Sequence, residues 1–128
     1  MVALSTRRLI LLVEADACAA RGLARMLADD GFEVERVADG AAALARLSRS
    51  PLPDVLITDL YLPHVDGVTV ARFARSRDSK IATVFITEHA ELMERNPPSL
   101  SPSPTVLVKP LDYDALARTL HTLLPAAA

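Results

Sequence analysis

Five strand-like runs alternate with five helix-patterned stretches, and four of the runs stop on a charged or hydroxyl side chain. Leu9-Ile10-Leu11-Leu12-Val13 stops at Glu14, and Asp54-Val55-Leu56-Ile57-Thr58 stops at Asp59. Ile81-Ala82-Thr83-Val84-Phe85-Ile86 stops at Thr87, and Thr105-Val106-Leu107-Val108 stops at Lys109. Such runs fit strands buried on both faces. The remaining run, Phe32 to Val37, alternates apolar and polar residues and fits a strand nearer an edge.

The stretches between them read as helices. From Ala17 to Asp30, Ala20, Leu23, Ala24 and Leu27 recur at helical spacing, and Gly31 stops the run. Asp39-Gly40 is predicted to turn the chain. Ala41 to Arg49 follows as a helix with Leu44 and Leu47 inward, ended by Pro51 and Pro53. Gly67 opens a third helix that runs to about Ser76. Glu88 to Arg95 has room for only a short fourth helix, because Pro97, Pro98, Pro102 and Pro104 forbid a regular one beyond it. That segment, Asn96 to Pro104, is predicted to be an extended, mobile loop of polyproline character. Asp112 can cap a last helix over Tyr113 to Leu124, and Pro125 to Ala128 is a frayed tail.

Strand–helix alternation of this kind means a parallel sheet covered on both faces, and right-handed crossovers make it doubly wound. The functional site then lies at the carboxyl ends of the strands, where the order reverses. The 128 residues fit one domain over 1–128 with a core at about 8–124. A formal net charge of −2 with scattered arginines gives no basic face for nucleic acid. The single cysteine, Cys18, excludes an internal disulfide. No stretch has the length or pattern of a membrane span or secretory signal, so a soluble cytoplasmic protein is expected.

Glu14, Asp16, Asp59, Thr87 and Lys109 all follow strands, so the fold brings carboxylates, a hydroxyl and an ammonium to one edge. Crowded carboxylates repel unless a cation intervenes, and a hard divalent ion suits their oxygens. An aspartate can attack phosphorus to form an acyl phosphate, while a lysine and a hydroxyl hold the charge that develops. The set is coherent for phosphoryl transfer to Asp59. His64 and His89 read as solvated loop residues and His121 as a helix-surface residue, which makes no metal cluster.

The chain resembles the receiver domain of two-component response regulators from Leu9 to Leu124. The resemblance rests on Ile10-Leu11-Leu12-Val13-Glu14, Gly31-Phe32-Glu33-Val34, Ala38-Asp39-Gly40-Ala41-Ala42-Ala43-Leu44, Pro53 to Asp59, Leu62-Pro63-His64-Val65-Asp66-Gly67, Thr87 and Val108-Lys109-Pro110-Leu111. It implies a flavodoxin-like sheet of order 2-1-3-4-5 with the fourth helix short or lost. It implies a phosphorelay function with Asp59 as phosphoacceptor, Thr87 as the hydroxyl that contacts the phosphoryl group, and Lys109 as its ammonium partner. Pro110 matches a cis-peptide position. Mg²⁺ would take Asp59, Glu14 and the Tyr61 backbone carbonyl, with Asp16 as a further candidate. The implied donor is a histidine kinase or phosphotransfer protein, the output protein is unnamed, and there is no enzyme activity beyond assisting its own phosphorylation and dephosphorylation.

Three positions depart from that pattern. Ala15 stands where the second acid is expected, so Mg²⁺ would bind weakly, and Asp16, one place later, is expected to cap a helix. Val106 replaces a switching aromatic. Glu88 sets a negative charge beside Thr87. Ala15, Glu88 and the proline-rich loop favour, as the alternative, a degenerate receiver that works by protein contact without phosphorylation. A flavin or nucleotide carrier would want a glycine-rich loop after the first strand, and a hydrolase would want a Gly-x-Ser-x-Gly elbow; neither is present. Because the chain ends soon after its last helix, no output domain is expected to be attached.

Overall fold

A computed structural model describes residues 7–95, 100 and 103–124 of the chain. The strands are β1 (Leu9–Val13), β2 (Glu33–Val37), β3 (Val55–Asp59), β4 (Ala82–Thr87) and β5 (Thr105–Val108). They form one parallel sheet in the order β2-β1-β3-β4-β5, as expected. The helices are α1 (Ala17–Asp29), α2 (Gly40–Leu47), α3 (Gly67–Arg77), α4 (Ala90–Arg95) and α5 (Tyr113–Leu123). At six residues α4 is the short helix expected. The extended proline loop and the frayed tail fall mainly on residues 96–99, 101–102 and 125–128, outside the described residues.

Every residue of β1 and β3 is buried, which is why their sequences are apolar without alternation. Two cores flank the sheet. Leu11, Val13, Leu56 and Phe85 pack with α2 and α3 on one face. Ile10, Leu12, Ile57 and Val84 pack with α1 and α5 on the other. The period-2 geometry of a strand divides neighbouring residues between those two faces. β2 sits at the sheet edge and is only partly buried, in keeping with its mixed composition.

Asp16 caps α1, its Oδ1 accepting from the amides of Cys18 and Ala19, and Asp112 caps α5. Asp39 and Gly40 correct the sequence reading. Asp39 is the cap of α2 and Gly40 its first residue, not a turn pair. Glycine is required at 40 because a Cβ there would lie 2.3 Å from the Val65 carbonyl oxygen. Arg46, on the buried side of α2, was not foreseen. Its guanidinium pairs with Glu35 on β2 and donates to the carbonyls of Arg49 and Pro51, which satisfies a charge only 5% exposed.

Candidate functional site

The parallel register sets the ends of β1, β3, β4 and β5 side by side. Asp59, the last residue of β3, pairs with Ile86 on β4, and Thr87 pairs with Val108 on β5. The residue after β5 is Lys109, whose amide donates to the Thr87 carbonyl at 2.8 Å. The Lys109–Pro110 peptide is cis, as the resemblance implied. Asp59, Thr87 and Lys109 line one cleft of about 200 Å³, with Tyr61, Glu88 and His89 at its mouth. Glu14 reaches the same group through the lysine.

Lys109 Nζ lies 3.1 Å from Glu14 Oε2 and 2.7 Å from Asp59 Oδ1. The ammonium therefore bridges two carboxylates that are both about nine-tenths buried. The two contacts differ in kind. The Glu14 contact is a directed hydrogen bond. The Asp59 contact is off the hydrogen-bond direction, so the buried Oδ1 feels the positive charge but receives no directed donor. Burial first, and then the Glu14 carboxylate, push Asp59 up to about 6 from its ordinary 3.8, although Lys109 pulls the other way. Burial alone would lower the Lys109 ammonium; its two carboxylates outweigh that and raise it.

Asp59 is held from behind by Gly67. A Cβ at 67 would stand 2.3 Å from the Asp59 carbonyl oxygen and 3.1 Å from Leu60. The Gly67 amide donates to the Leu60 carbonyl, and Asp66 caps α3 through the Thr69 amide. The start of α3 thus packs directly on the exit of β3. Gly67→Ala is expected to destabilise the chain by about 1–3 kcal/mol in urea unfolding, because the clash is with backbone that cannot swing aside. Gly22→Ala, on exposed α1 with nothing within 4 Å of the new methyl, is expected to stabilise it by about 0.5–1 kcal/mol. Equal effects from the two would refute this close approach.

The oxygens that face a cation here are few and hard. Asp59 Oδ1 lacks a directed donor, Glu14 is adjacent, and the Tyr61 carbonyl follows two residues past Asp59, so the donor chemistry fits Mg²⁺. Glu14 is already engaged, since its Oε1 accepts from the Asp16 amide and its Oε2 from Lys109. Asp16 spends its Oδ1 on the α1 cap. Ala15 offers only a methyl group. It lines a larger neighbouring groove of about 1050 Å³ between α1 and the β5–α5 connection. Among the described residues no three His, Cys, Asp or Glu side chains are grouped to hold one metal ion. No helix among them is long and apolar enough to cross a membrane.

His64 and His89 are the exposed loop residues expected from the sequence, which gave no sign of the ring that His89 meets. His89 is exposed, as expected of a loop residue, but its ring meets Tyr61 edge-on with centroids 6.2 Å apart. His64 is also exposed and takes a left-handed φ of 67° in the loop before α3. Val106 is half-buried against the α2–α3 core.

Residues 10–121 match the family model of the response regulator receiver domain. Response regulator receiver protein CpdR of Brucella abortus is 35% identical over 119 residues, covering 92% of this chain and 98% of that protein. Transcriptional regulatory protein TrcR of Mycobacterium tuberculosis is 34% identical over 116 residues, covering 90% of this chain but 44% of that protein. The chain thus spans about half the length of several curated relatives it matches. Among solved structures, a response regulator receiver protein from Sinorhizobium medicae superposes with a TM-score of 0.84 at 30% identity, covering 94% and 97% of the two chains. The receiver domain of sensor histidine kinase PA1611 from Pseudomonas aeruginosa gives 0.82 at 26%, covering 94% and 100%, and holds a magnesium ion coordinated in its active-site cleft.

Proposed function

The chain belongs to the response regulator receiver domain family, and from that premise we propose that it accepts a phosphoryl group on Asp59 in two-component phosphorelay signalling. One observation carries the reading. Asp59, Thr87 and Lys109 share a single cleft, with the ammonium 2.7 Å from the acceptor oxygen.

An Asp59 oxygen attacks the phosphorus of a phosphohistidine on a histidine kinase or phosphotransfer protein. The P–N bond breaks, its electron pair stays on the donor imidazole, and a P–O bond to Asp59 forms. An acid titrating near 6 is mostly carboxylate at pH 7, so the nucleophile is available. Lys109 leaves Asp59 Oδ1 to meet the phosphoryl oxygens, and Thr87 donates its hydroxyl proton to one of them. Mg²⁺, when bound, supplies charge neutralisation at those oxygens. Asp59, Glu14 and the Tyr61 carbonyl would hold it, weakly, because Ala15 contributes no oxygen. Glu88, exposed at the mouth, opposes an incoming anion and slows uptake from small donors. Residues 1–128 act as one receiver domain with a core at about 8–124, in the cytoplasm where such donors work, with no turnover of its own beyond assisting phosphoryl gain and loss.

The test is intact mass after incubation with acetyl phosphate and Mg²⁺. A gain of one phosphoryl group per chain is expected. An unchanged mass would overturn the reading in favour of a receiver that signals by protein contact alone. The two-carboxylate donor set, already closed by Lys109, is the observation behind that second reading.

A further inference from the structure

Among the described residues three threonine side chains are buried: Thr58 on β3, and Thr83 and Thr87 on β4. A hydroxyl carried into a core costs stability unless it finds a partner. Thr87 lines the acceptor cleft, and its Oγ1 accepts from the His89 amide. The Thr83 hydroxyl has no hydrogen-bond partner among the described residues. Thr58, the fully buried neighbour of the acceptor, donates its hydroxyl to the Asp59 carbonyl at 2.9 Å. A buried strand position asks only for a β-branched or apolar residue, and valine would serve. The hydroxyl is what valine lacks.

That bond acts on the peptide that joins Asp59 to Leu60. The carbonyl of this peptide accepts from Thr58, and its amide, on Leu60, donates to the Ile86 carbonyl on β4 at 3.0 Å. A planar unit pinned at both its carbonyl and its amide resists rotation, so ψ of Asp59 is held. The rotamers open to a side chain depend on the φ and ψ of its own residue. The direction of the Asp59 carboxylate is therefore tied to the Thr58 hydroxyl. The following peptide is held as well, since the Leu60 carbonyl accepts from the Gly67 amide at 2.9 Å.

We propose that Thr58 is a positioning residue, whose hydroxyl sets the Asp59–Leu60 peptide and through it the aim of the Asp59 carboxylate into the cleft. The role deepens the phosphoacceptor reading and rests on it. Thr58 does not line the cleft and acts through the backbone of its neighbour. A nucleophile aimed wrongly loses rate out of proportion to any loss of stability. Thr83 supplies the control, because it is a buried threonine on the adjacent strand, opposite Leu56, whose hydroxyl makes no such bond.

The test compares the full wild-type chain with Thr58→Val, Thr58→Ser and Thr83→Val. The initial rate of mass gain with acetyl phosphate and Mg²⁺ is measured beside urea unfolding, and hydrogen exchange of the Leu60 amide is read in EDTA. Thr58→Val is expected to take up phosphoryl groups about tenfold more slowly while unfolding at a similar urea concentration. Its Leu60 amide is expected to exchange about fivefold faster. Thr58→Ser keeps the hydroxyl and is expected to keep most of the wild-type rate. Thr83→Val is expected to change neither rate nor Leu60 exchange. A wild-type rate or unchanged Leu60 exchange in Thr58→Val would overturn the positioning role alone, as would an equal loss of rate in Thr58→Ser or Thr83→Val. No uptake by the wild-type chain would overturn the phosphoacceptor reading, and the positioning role with it.

Discussion

Asp59→Asn is expected to abolish phosphoryl uptake and, in the same protein, to raise stability by about 1–2 kcal/mol at neutral pH. The first effect follows from chemistry: a carboxamide is no nucleophile toward phosphorus under these conditions. The second follows from what the fold does to the acid. Burial and the neighbouring Glu14 lift Asp59 from 3.8 to about 6. Between those values the folded chain holds a proton that the unfolded chain has released. Stability therefore falls as pH rises across that window, and the loss is complete by about pH 7. The full rise from 3.8 to about 6 would amount to about 3 kcal/mol, reduced here because the cleft opens to water. The asparagine has nothing to titrate. In metal-free urea unfolding, the advantage of the variant is expected to be small near pH 4 and to reach its full size above pH 7. An advantage equal at both ends would mean that ionisation of Asp59 is not what strains the native state. On the proposed function Asp59 is a nucleophile kept at a cost in stability, as a preorganised functional site predicts.

Much of this site could be read before any coordinates, for one reason. In a parallel sheet the functional residues follow the strands directly, so chain order alone brings Glu14, Asp59, Thr87 and Lys109 to one edge. Helix caps were legible too, since Asp16 and Asp112 act on amides two or three residues away. What escaped depends on meetings between distant segments. Arg46 lies on a helix whose pattern shows a polar residue among apolar ones. Only the fold reveals that Glu35 on the edge strand and the Pro51 carbonyl beyond the helix meet its guanidinium. Gly40 looked like turn chemistry because Asp-Gly usually is. The actual constraint is the approach of the Val65 carbonyl from the next loop. Tyr61 and His89 sit on separate loops, and no spacing rule pairs them. The sequence placed the chemistry and left open the contacts that control access to it.

On the proposed function, Ala15 sets how much of that chemistry depends on a metal. Ala15→Asp is expected to tighten Mg²⁺ binding on the order of a hundredfold, or about 2.7 kcal/mol, because it adds a charged oxygen ligand beside Glu14 and Asp59. The same substitution works against the metal-free fold. A third carboxylate near two that are already buried and share one ammonium adds repulsion, expected to lower stability in EDTA by about 1 kcal/mol. Mg²⁺ then reverses the order. At a hundred times its dissociation constant it stabilises the native state by about 2.7 kcal/mol, so the variant should melt below the wild-type chain in EDTA and above it in Mg²⁺. Ala15→Asn, with an oxygen but no charge, should recover only a small part of the affinity. The alanine leaves Lys109 as the resident cation of the site, since any metal must compete with its ammonium for Glu14 Oε2 and Asp59 Oδ1. Calorimetric Mg²⁺ titrations of the three proteins separate the contributions. Equal affinity for wild type and Ala15→Asp would show that position 15 does not face the metal.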